Sequence, residues 1–238
     1  MFKVIRQLFI DLFWLARDFL LFTKHKILGT SYAEYYAERM DRLIKRRSNW
    51  GLNQDKSFQI KYLIKHGLTP QMTFLDYGCG AVNAGLHFIA YLESANYTGV
   101  DVSAQVLEEG KKRIEARALA TKKPRLYHIP AGNLSSLPPQ KFDMIWSYSV
   151  LTHMPPEAIT LLLQDLKKHM HSTSVFYADF ARTETEIEHR RFRDWYYPVS
   201  FFEKTAQDCG LSFAMMKDWK SPEDRGGTDT LAQFKLSH

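Results

Sequence analysis

The chain has 238 residues, of which 45% are hydrophobic and 14% aromatic, a composition that excludes wholesale disorder and suits one α/β domain with an added segment. Its net charge of +6 is unevenly distributed: residues 1–70 hold 13 Lys+Arg against 6 Asp+Glu (+7), and the remainder holds 19 against 20 (−1). Because the larger part of the chain is nearly neutral, nucleic acid is not favoured as a partner. Two cysteines, Cys79 and Cys209, are too few for a disulfide framework or a metal site, which predicts no metal and a reducing, cytoplasmic location.

Residues 1–28 are predicted to form one amphipathic helix. Apolar residues recur at helical intervals, beginning with Phe2, Ile5 and Phe9. Asp11 and Asp18 interrupt any run long enough to span a bilayer, and Asp11 also splits the apolar region that a signal peptide would need. Two alternatives remain. The helix packs on the domain or on a second subunit of a homodimer, or it lies on an anionic membrane surface, which would make the protein peripheral on the inner face of the membrane.

Two further helices are predicted before residue 70. Ser31, with Glu34 three residues later, gives the capping-box pattern for a helix over residues 31–47, which ends in a basic cluster. Residues 56–66 form a second amphipathic helix, expected to cover the open side of the site described next. We therefore divide the chain into an N-terminal helical extension, 1–69, and a domain, 70–238.

A glycine-rich turn follows a short strand in residues 73–85. The strand ends in Asp76, and Gly78 and Gly80 allow the backbone to approach a bound ligand closely. A dinucleotide fingerprint is disfavoured, because its third glycine would fall on Asn83. The Asp-x-Gly-x-Gly pattern instead resembles the first motif of class I S-adenosylmethionine (SAM)-dependent methyltransferases.

This resemblance implies that SAM is the cofactor. Asp76 would serve the amino-acid end of SAM, directly or through water, and the loop Gly78–Cys79–Gly80 would cradle it. The third glycine that is common in the family is Val82 here, and Gly85 supplies a small residue slightly later.

The next two strands supply further candidate cofactor ligands. The strand Tyr97–Asp101 ends in a carboxylate 25 positions after the first one, which fits a site in which Asp101 accepts both ribose hydroxyls and Val102 adjoins them. Ser103 is expected to cap the following helix, leaving Asp101 for the ligand. After the third strand, Asn133 or its neighbouring backbone would contact the adenine, with an Asx turn as the alternative.

Residues 142–156 form a second diagnostic stretch. A buried strand through Trp146 runs into a loop and then into a helix opened by two prolines. The stretch resembles the fourth motif of the same family, which places Ser147 and Tyr148 beside the methionine moiety and His153 near the open side of the methyl donor. His153, as a general base, and Tyr148 are therefore the candidate catalytic residues, with a packing role for His153 as the alternative.

The C-terminal third is predicted to complete the sheet. Residues 174–180 form a fifth strand, and residues 211–219 and 230–236 form an antiparallel pair. Residues 183–197 are charged and aromatic and fit no simple strand or helix pattern, so a loop above the acceptor, or a surface helix, is expected there.

Together these elements predict an α/β fold: a seven-stranded Rossmann-like methyltransferase sheet with helices on both faces, an antiparallel last strand and an N-terminal helical extension. The resemblance implies methyl transfer from SAM to a small-molecule, saccharide or lipid-linked acceptor, at oxygen. The alternatives are a non-catalytic SAM-binding scaffold attached to a membrane, and a nucleotide-dependent oxidoreductase.

Overall fold

The computed structural model describes residues 2–46, 56–220 and 229–237, with side chains described from residue 15 onward except Asp229. Its helices are α1 (Phe2–Leu28), α2 (Tyr32–Arg46), α3 (Ser57–Lys65), α4 (Gly85–Tyr91), α5 (Ala104–Ala116), α6 (Pro156–Leu166) and α7 (Val199–Asp208). Its strands are β1 (Phe74–Tyr77), β2 (Tyr97–Asp101), β3 (Arg125–His128), β4 (Phe142–Ser147), β5 (Met170–Arg182), β6 (Glu188–Arg190), β7 (Asp194–Tyr197), β8 (Leu211–Met215) and β9 (Asp229–Leu236).

The predicted seven-stranded sheet is confirmed. Strands β3, β2, β1, β4 and β5 lie side by side and parallel, and β9 then pairs antiparallel with both β5 and β8. Because the five parallel strands share one direction, their carboxyl ends meet at one edge of the sheet.

A short hairpin, β6 and β7, extends this sheet, so the expectation of a loop or a surface helix over residues 183–197 was wrong. Strand β5 continues to Arg182, two residues beyond its predicted end. The backbone groups at the extended end of β5 are available for hydrogen bonding. Strand β7 pairs with them in parallel at Ala181 and Arg182. Backbone pairing of this kind is specified by a distant strand and not by the local residue pattern.

The sheet is covered on both faces, as predicted. One apolar cluster joins it to α6 and α7 through residues such as Leu163 and Phe202. The other joins it to α3, α4 and α5 through residues such as Leu63, Phe88 and Ile114. The central strands β1 and β2 are buried along their whole length, which fixes the carboxyl ends on a rigid base.

The N-terminal helices pack on the domain. The capping box of α2 is present: the N–H of Ser31 donates to Glu34 Oε2 at 2.8 Å, and the N–H of Glu34 donates to Ser31 Oγ at 3.2 Å. Helix α2 lies against α5, and the buried His25 of α1 contacts Glu38 of α2. Within the described residues no helix has both the length and the apolarity needed to cross a membrane. The boundary at residue 69 stays a prediction.

Candidate functional site

A cavity of about 1360 Å³ lies at the carboxyl ends of the parallel strands. The loops that follow β1, β2, β3 and β4 form one part of its wall, and α1, α2, α6 and the β6–β7 hairpin form most of the remainder. Helix α3 contributes only Gln59, together with Lys56 just before it, so α2 covers the site more than the predicted α3 does. Because the strand ends and the N-terminal helices share one cavity, the site is built from both parts of the chain.

The glycine loop after β1 has the backbone conformation that its composition predicts. Gly78 has a φ of 76° and Gly80 a φ of 56°, both in the left-handed region. A Cβ on Gly78 would lie 2.3 Å from Val150 Cγ2, whereas a Cβ on Gly80 would meet nothing within 4 Å. Gly78 is therefore needed for packing against the loop after β4, and Gly80 faces open space in the cavity.

Asp76 ends β1 as a buried carboxylate on the cavity wall. Its Oδ2 accepts a hydrogen bond from Tyr97 Oη at 2.8 Å. Burial raises the pKa of Asp76 to about 7; the Tyr97 hydrogen bond opposes this rise and the nearby Asp101 charge adds to it. A cationic group bound beside Asp76 would offset the cost of holding this charge in the interior.

Asp101 ends β2 on the same wall. The sequence predicted that its carboxylate is left for the ligand, but in the structure the carboxylate already accepts two backbone hydrogen bonds. Its Oδ2 accepts the N–H of Gly80 at 3.0 Å and its Oδ1 accepts the N–H of Ser103 at 2.9 Å. Burial raises the pKa of Asp101 to about 6, against the lowering effect of these two bonds. Ser103 Oγ does cap α5, accepting the N–H of Val106 at 3.0 Å. Each carboxylate oxygen keeps a second lone pair for a hydroxyl ligand.

Three of the predicted cofactor residues differ in their placement, because Cys79 and Asn133 line the cavity and Ser147 does not. Cys79 borders the cavity, but its thiol packs beside Gly99 and its N–H donates to the Val100 carbonyl at 3.0 Å. Ser147 is fully buried at the end of β4 and does not line the cavity, which the chain reaches at Tyr148 in the loop that follows. Asn133 lines the cavity, but its Oδ1 accepts the N–H of Ser135 at 3.2 Å, which is the Asx-turn alternative.

Val102 and Tyr148, two further candidate site residues, lie on the cavity wall. The Tyr148 ring is parallel to that of Trp146, with centroids 6.0 Å apart, and it meets Phe58 edge-on at 5.7 Å. Trp146 is itself fixed, because its Nε1 donates to Gln59 Oε1 at 2.8 Å. The aromatic packing holds Tyr148 in one orientation beside the glycine loop.

His153 reaches the cavity and is held from two sides. Its Nδ1 lies 3.1 Å from Asp194 Oδ1 at the start of β7, and its ring stacks on Tyr36 of α2 with centroids 4.7 Å apart. Burial raises the pKa of Asp194, but the hydrogen bond and charge of His153 and the charge of Arg193 outweigh it, so the net shift is downward. Asp194 is therefore an anion at neutral pH, and Nδ1 of His153 is the donor in the pair.

The ion pairs continue from Asp194 to α1. Arg193 Nε donates to Asp194 Oδ2 at 3.1 Å, and Arg193 Nη1 lies 3.4 Å from Asp18 Oδ2. The other Asp18 oxygen lies 3.4 Å from Arg39 Nε. A carboxylate of the N-terminal helix thus joins α2 to the hairpin that holds His153.

Sequence reasoning missed Tyr36, Asp194 and Asp18 as parts of this site. Tyr32, Tyr36 and Arg39 recur at helical spacing along α2, a signal that a polar and aromatic face points inward. No comparable signal marks Asp194, because it reaches His153 only through the pairing of β7 with β5. Among the described side chains, no group of three or more His, Cys, Asp or Glu is placed to hold a metal ion.

The sheet order, the antiparallel last strand and the glycine loop between two strand-end carboxylates define the class I methyltransferase fold. Residues 75–176 match the family model described as a methyltransferase domain. This stretch of the chain therefore matches a methyltransferase domain, and the predicted resemblance to SAM-dependent methyltransferases and the predicted fold are confirmed.

Individual proteins resemble the chain over different lengths. The magnesium protoporphyrin IX methyltransferase of Synechocystis PCC 6803, solved with bound SAM, superposes with a TM-score of 0.66 at 15% identity, covering 87% of this chain and 98% of that one. A glycopeptide N-methyltransferase solved with S-adenosylhomocysteine gives 0.59 at 14% identity, covering 77% and 91%. The trans-aconitate 2-methyltransferase of Azoarcus sp. is 25% identical over 127 residues, 53% of this chain and 46% of that enzyme. Matches to curated relatives span only 28–46% of their lengths.

Proposed function

We propose that the protein transfers the methyl group of SAM to an oxygen atom of a small-molecule acceptor, with His153 as the general base. The observation that carries this proposal is the His153–Asp194 pair, which lies on the wall of the same cavity as the glycine loop, Asp76 and Asp101. A cofactor site and a positioned base in one cavity are what methylation of a hydroxyl or carboxyl requires.

The cavity residues fit SAM in charge as well as shape. Asp76 and Asp101 are two buried carboxylates whose pKa values are raised by burial, so a ligand with positive charge compensates them. Asp76 would take the ammonium group of SAM and Asp101 the ribose hydroxyls, while Gly80 leaves room for the backbone approach. When bound, SAM supplies a methyl group already activated by its sulfonium, so the chain mainly aligns the acceptor and excludes water.

His153 would remove the acceptor proton. Donation from Nδ1–H to Asp194 fixes the tautomer in which Nε2 carries the free lone pair. The Asp194 carboxylate then stabilises the imidazolium that forms when Nε2 takes the proton. Tyr36 stacks on the ring and keeps it from turning away. This arrangement favours oxygen as the acceptor atom, since an amine can react without a base once it is neutral.

The cavity lining supports an acceptor with both apolar and polar parts. Leu15, Met154 and Leu161 lie on the wall together with Arg191 and Arg193. A small molecule, a saccharide or a lipid-linked compound would meet this description. The named neighbours act on a porphyrin, a glycopeptide and trans-aconitate, and they support no single choice. The cytoplasmic location stays a prediction.

Calorimetric titration of the purified chain with SAM and, separately, with NADH tests the cofactor. We expect heat of binding with SAM alone; binding of NADH alone would favour the oxidoreductase alternative. Mass spectrometry of co-purified compounds then supplies acceptor candidates, and formation of S-adenosylhomocysteine with one of them reports turnover. SAM binding without turnover of any co-purified compound would favour the non-catalytic scaffold.

A further inference from the structure

The second half of α1 carries a row of exposed apolar side chains. Eight large apolar side chains are exposed in the described part of the chain, and five of them belong to this helix: Leu15, Phe19, Leu20, Ile27 and Leu28. Leu20 is 66% exposed and Ile27 is 79% exposed, far more than core packing would leave. A cluster of this kind on one element indicates a contact surface and not scattered surface residues.

The opposite side of α1 is already used. Leu21, Asp18 and His25 are buried, and His25 Nε2 lies 2.8 Å from Glu38 Oε2 of α2. The rotation of α1 about its axis is therefore fixed. Phe19 meets Phe192 of the hairpin at a centroid distance of 5.2 Å and Leu15 borders the cavity, whereas Leu20, Ile27 and Leu28 remain the most exposed members of the row. The sequence continues the same helical spacing upstream, where Phe2, Ile5, Phe9 and Leu12 precede the row.

Basic side chains border this row. Residues 1–28 contain five Lys+Arg against two Asp, a net charge of +3. Lys24 of α1 is exposed, and its Nζ also lies 2.7 Å from Glu38 Oε2 of α2. Lys26 of α1 is also exposed. This edge of the protein is suited to an anionic surface.

We propose that the outer face of α1 docks on an anionic lipid surface, with the helix lying in the plane of the interface. Apolar side chains between basic ones match the boundary between acyl chains and anionic headgroups. A second copy of the chain fits less well, because a two-fold contact through this face would bring together the net positive charges that residues 1–28 carry in both copies. The apolar contact of α1 with the lipid is short, and the electrostatic attraction to anionic headgroups is reversible. The protein would therefore attach peripherally.

The docked helix would bring the cavity to the lipid. Leu15 lies both in the exposed row and on the cavity wall, and Asp18 one turn on also lines the cavity. If methyl transfer is the function proposed above, an amphiphilic acceptor could pass from the lipid to the cavity along α1. The docking itself rests on α1 alone and is tested separately from SAM binding.

Flotation of the full-length protein with vesicles tests the proposal. One set contains equal parts phosphatidylcholine and phosphatidylglycerol, and the other contains phosphatidylcholine alone. The test variant is Leu20→Glu with Ile27→Glu, neither of which lines the cavity. The matched control is Ile64→Glu, an exposed apolar residue of α3. Calorimetry with SAM and circular dichroism on all three proteins establish that the fold and cofactor site are intact.

We expect the unchanged protein and Ile64→Glu to float with the anionic vesicles, and less so at high salt. The double variant should bind at least about tenfold more weakly, since two apolar side chains are lost from the contact. Equal flotation of the double variant, or no flotation of the unchanged protein, would overturn the proposal. A dimer in sedimentation that the double variant abolishes, without lipid binding, would assign the face to a second copy. Docking without SAM binding would instead count against the proposed function.

Discussion

The Asp101 carboxylate holds the glycine loop through Gly80, whose N–H it accepts at 3.0 Å. The same side chain accepts the N–H of Ser103, so it joins the end of β2, the start of α5 and the loop after β1. Asp101 therefore shapes the cofactor site even before any ligand arrives. Its role is structural as well as ligand-binding, which changes what its removal should do.

Asp101→Ala should weaken SAM binding by about 1–3 kcal/mol, through loss of charge-assisted hydrogen bonds to the ligand. It should also lower the free energy of unfolding by about 1–3 kcal/mol, because the N–H groups of Gly80 and Ser103 lose their acceptor. Ser103→Ala is the control: it removes the α5 cap at a cost of about 0.5–2 kcal/mol without removing a ligand group. Calorimetry and urea unfolding separate the two effects. Unchanged SAM affinity in Asp101→Ala would contradict the assignment.

SAM affinity should rise as the pH increases from about 5 to about 8. The ligand-free pKa values of Asp76, about 7, and Asp101, about 6, mean that both carboxyls must lose a proton to receive a cation and hydroxyl donors. Tyr97→Phe removes a hydrogen bond that lowers the Asp76 pKa, so the midpoint should move to higher pH. Titrations across the range in matched buffers measure the effect, and a flat profile would show that neither carboxyl meets the ligand.

The stability of the ligand-free protein should change in the opposite sense. A carboxyl whose folded pKa lies above its unfolded value of about 3.8 binds more protons when folded. These two groups should therefore lower the free energy of unfolding as the pH rises from about 4 to about 7. Asp76→Asn should reduce this dependence in urea unfolding at several pH values. An unchanged slope in that variant would place the titrating group elsewhere.

His153→Ala and Asp194→Asn should each lower kcat by about 10²–10⁴-fold, the scale of a lost general base, with SAM affinity little changed. Asp194→Asn acts by removing the anion that fixes the tautomer of His153. Tyr36→Phe keeps the stacked ring and should keep most of the activity. Production of S-adenosylhomocysteine with the identified acceptor is the measurement. Full activity in His153→Ala would leave His153 with a packing role only.

Gly78→Ala and Gly80→Ala should differ in kind. A methyl group on Gly78 collides with Val150, so this variant should lose stability, and adding Val150→Ala should restore part of it. A methyl group on Gly80 meets only open cavity, so that variant should pay about 1 kcal/mol in backbone strain and chiefly lose SAM affinity. Thermal unfolding with and without SAM distinguishes them. A SAM-induced shift kept in full by Gly80→Ala would show that the loop does not approach the cofactor.

The cofactor end of the site was predictable from the sequence because its parts are local. Asp76 and Asp101 each end a short apolar strand, and a strand end can be read from a few neighbouring residues. The acceptor end was less predictable. Asp194, at the start of β7, contacts His153 although the two are 41 residues apart in the sequence. Asp18 and Arg193, which also contact each other, are 175 residues apart. Ser147 shows a further limit, because β4 is covered on both faces and the cavity begins only at Tyr148, a boundary that the residue pattern does not mark.

Val82 occupies the position of the family's third glycine and keeps a glycine-like φ of 51°. A left-handed conformation costs an L-residue about 1–2 kcal/mol. The Val82 side chain is completely buried in the core beneath the loop, and burying a valine contributes about 1.5–3 kcal/mol. The two terms nearly cancel, with a small balance in favour of the valine. A glycine-rich loop can thus keep its backbone conformation after one glycine is replaced, provided that the core has space for the new side chain.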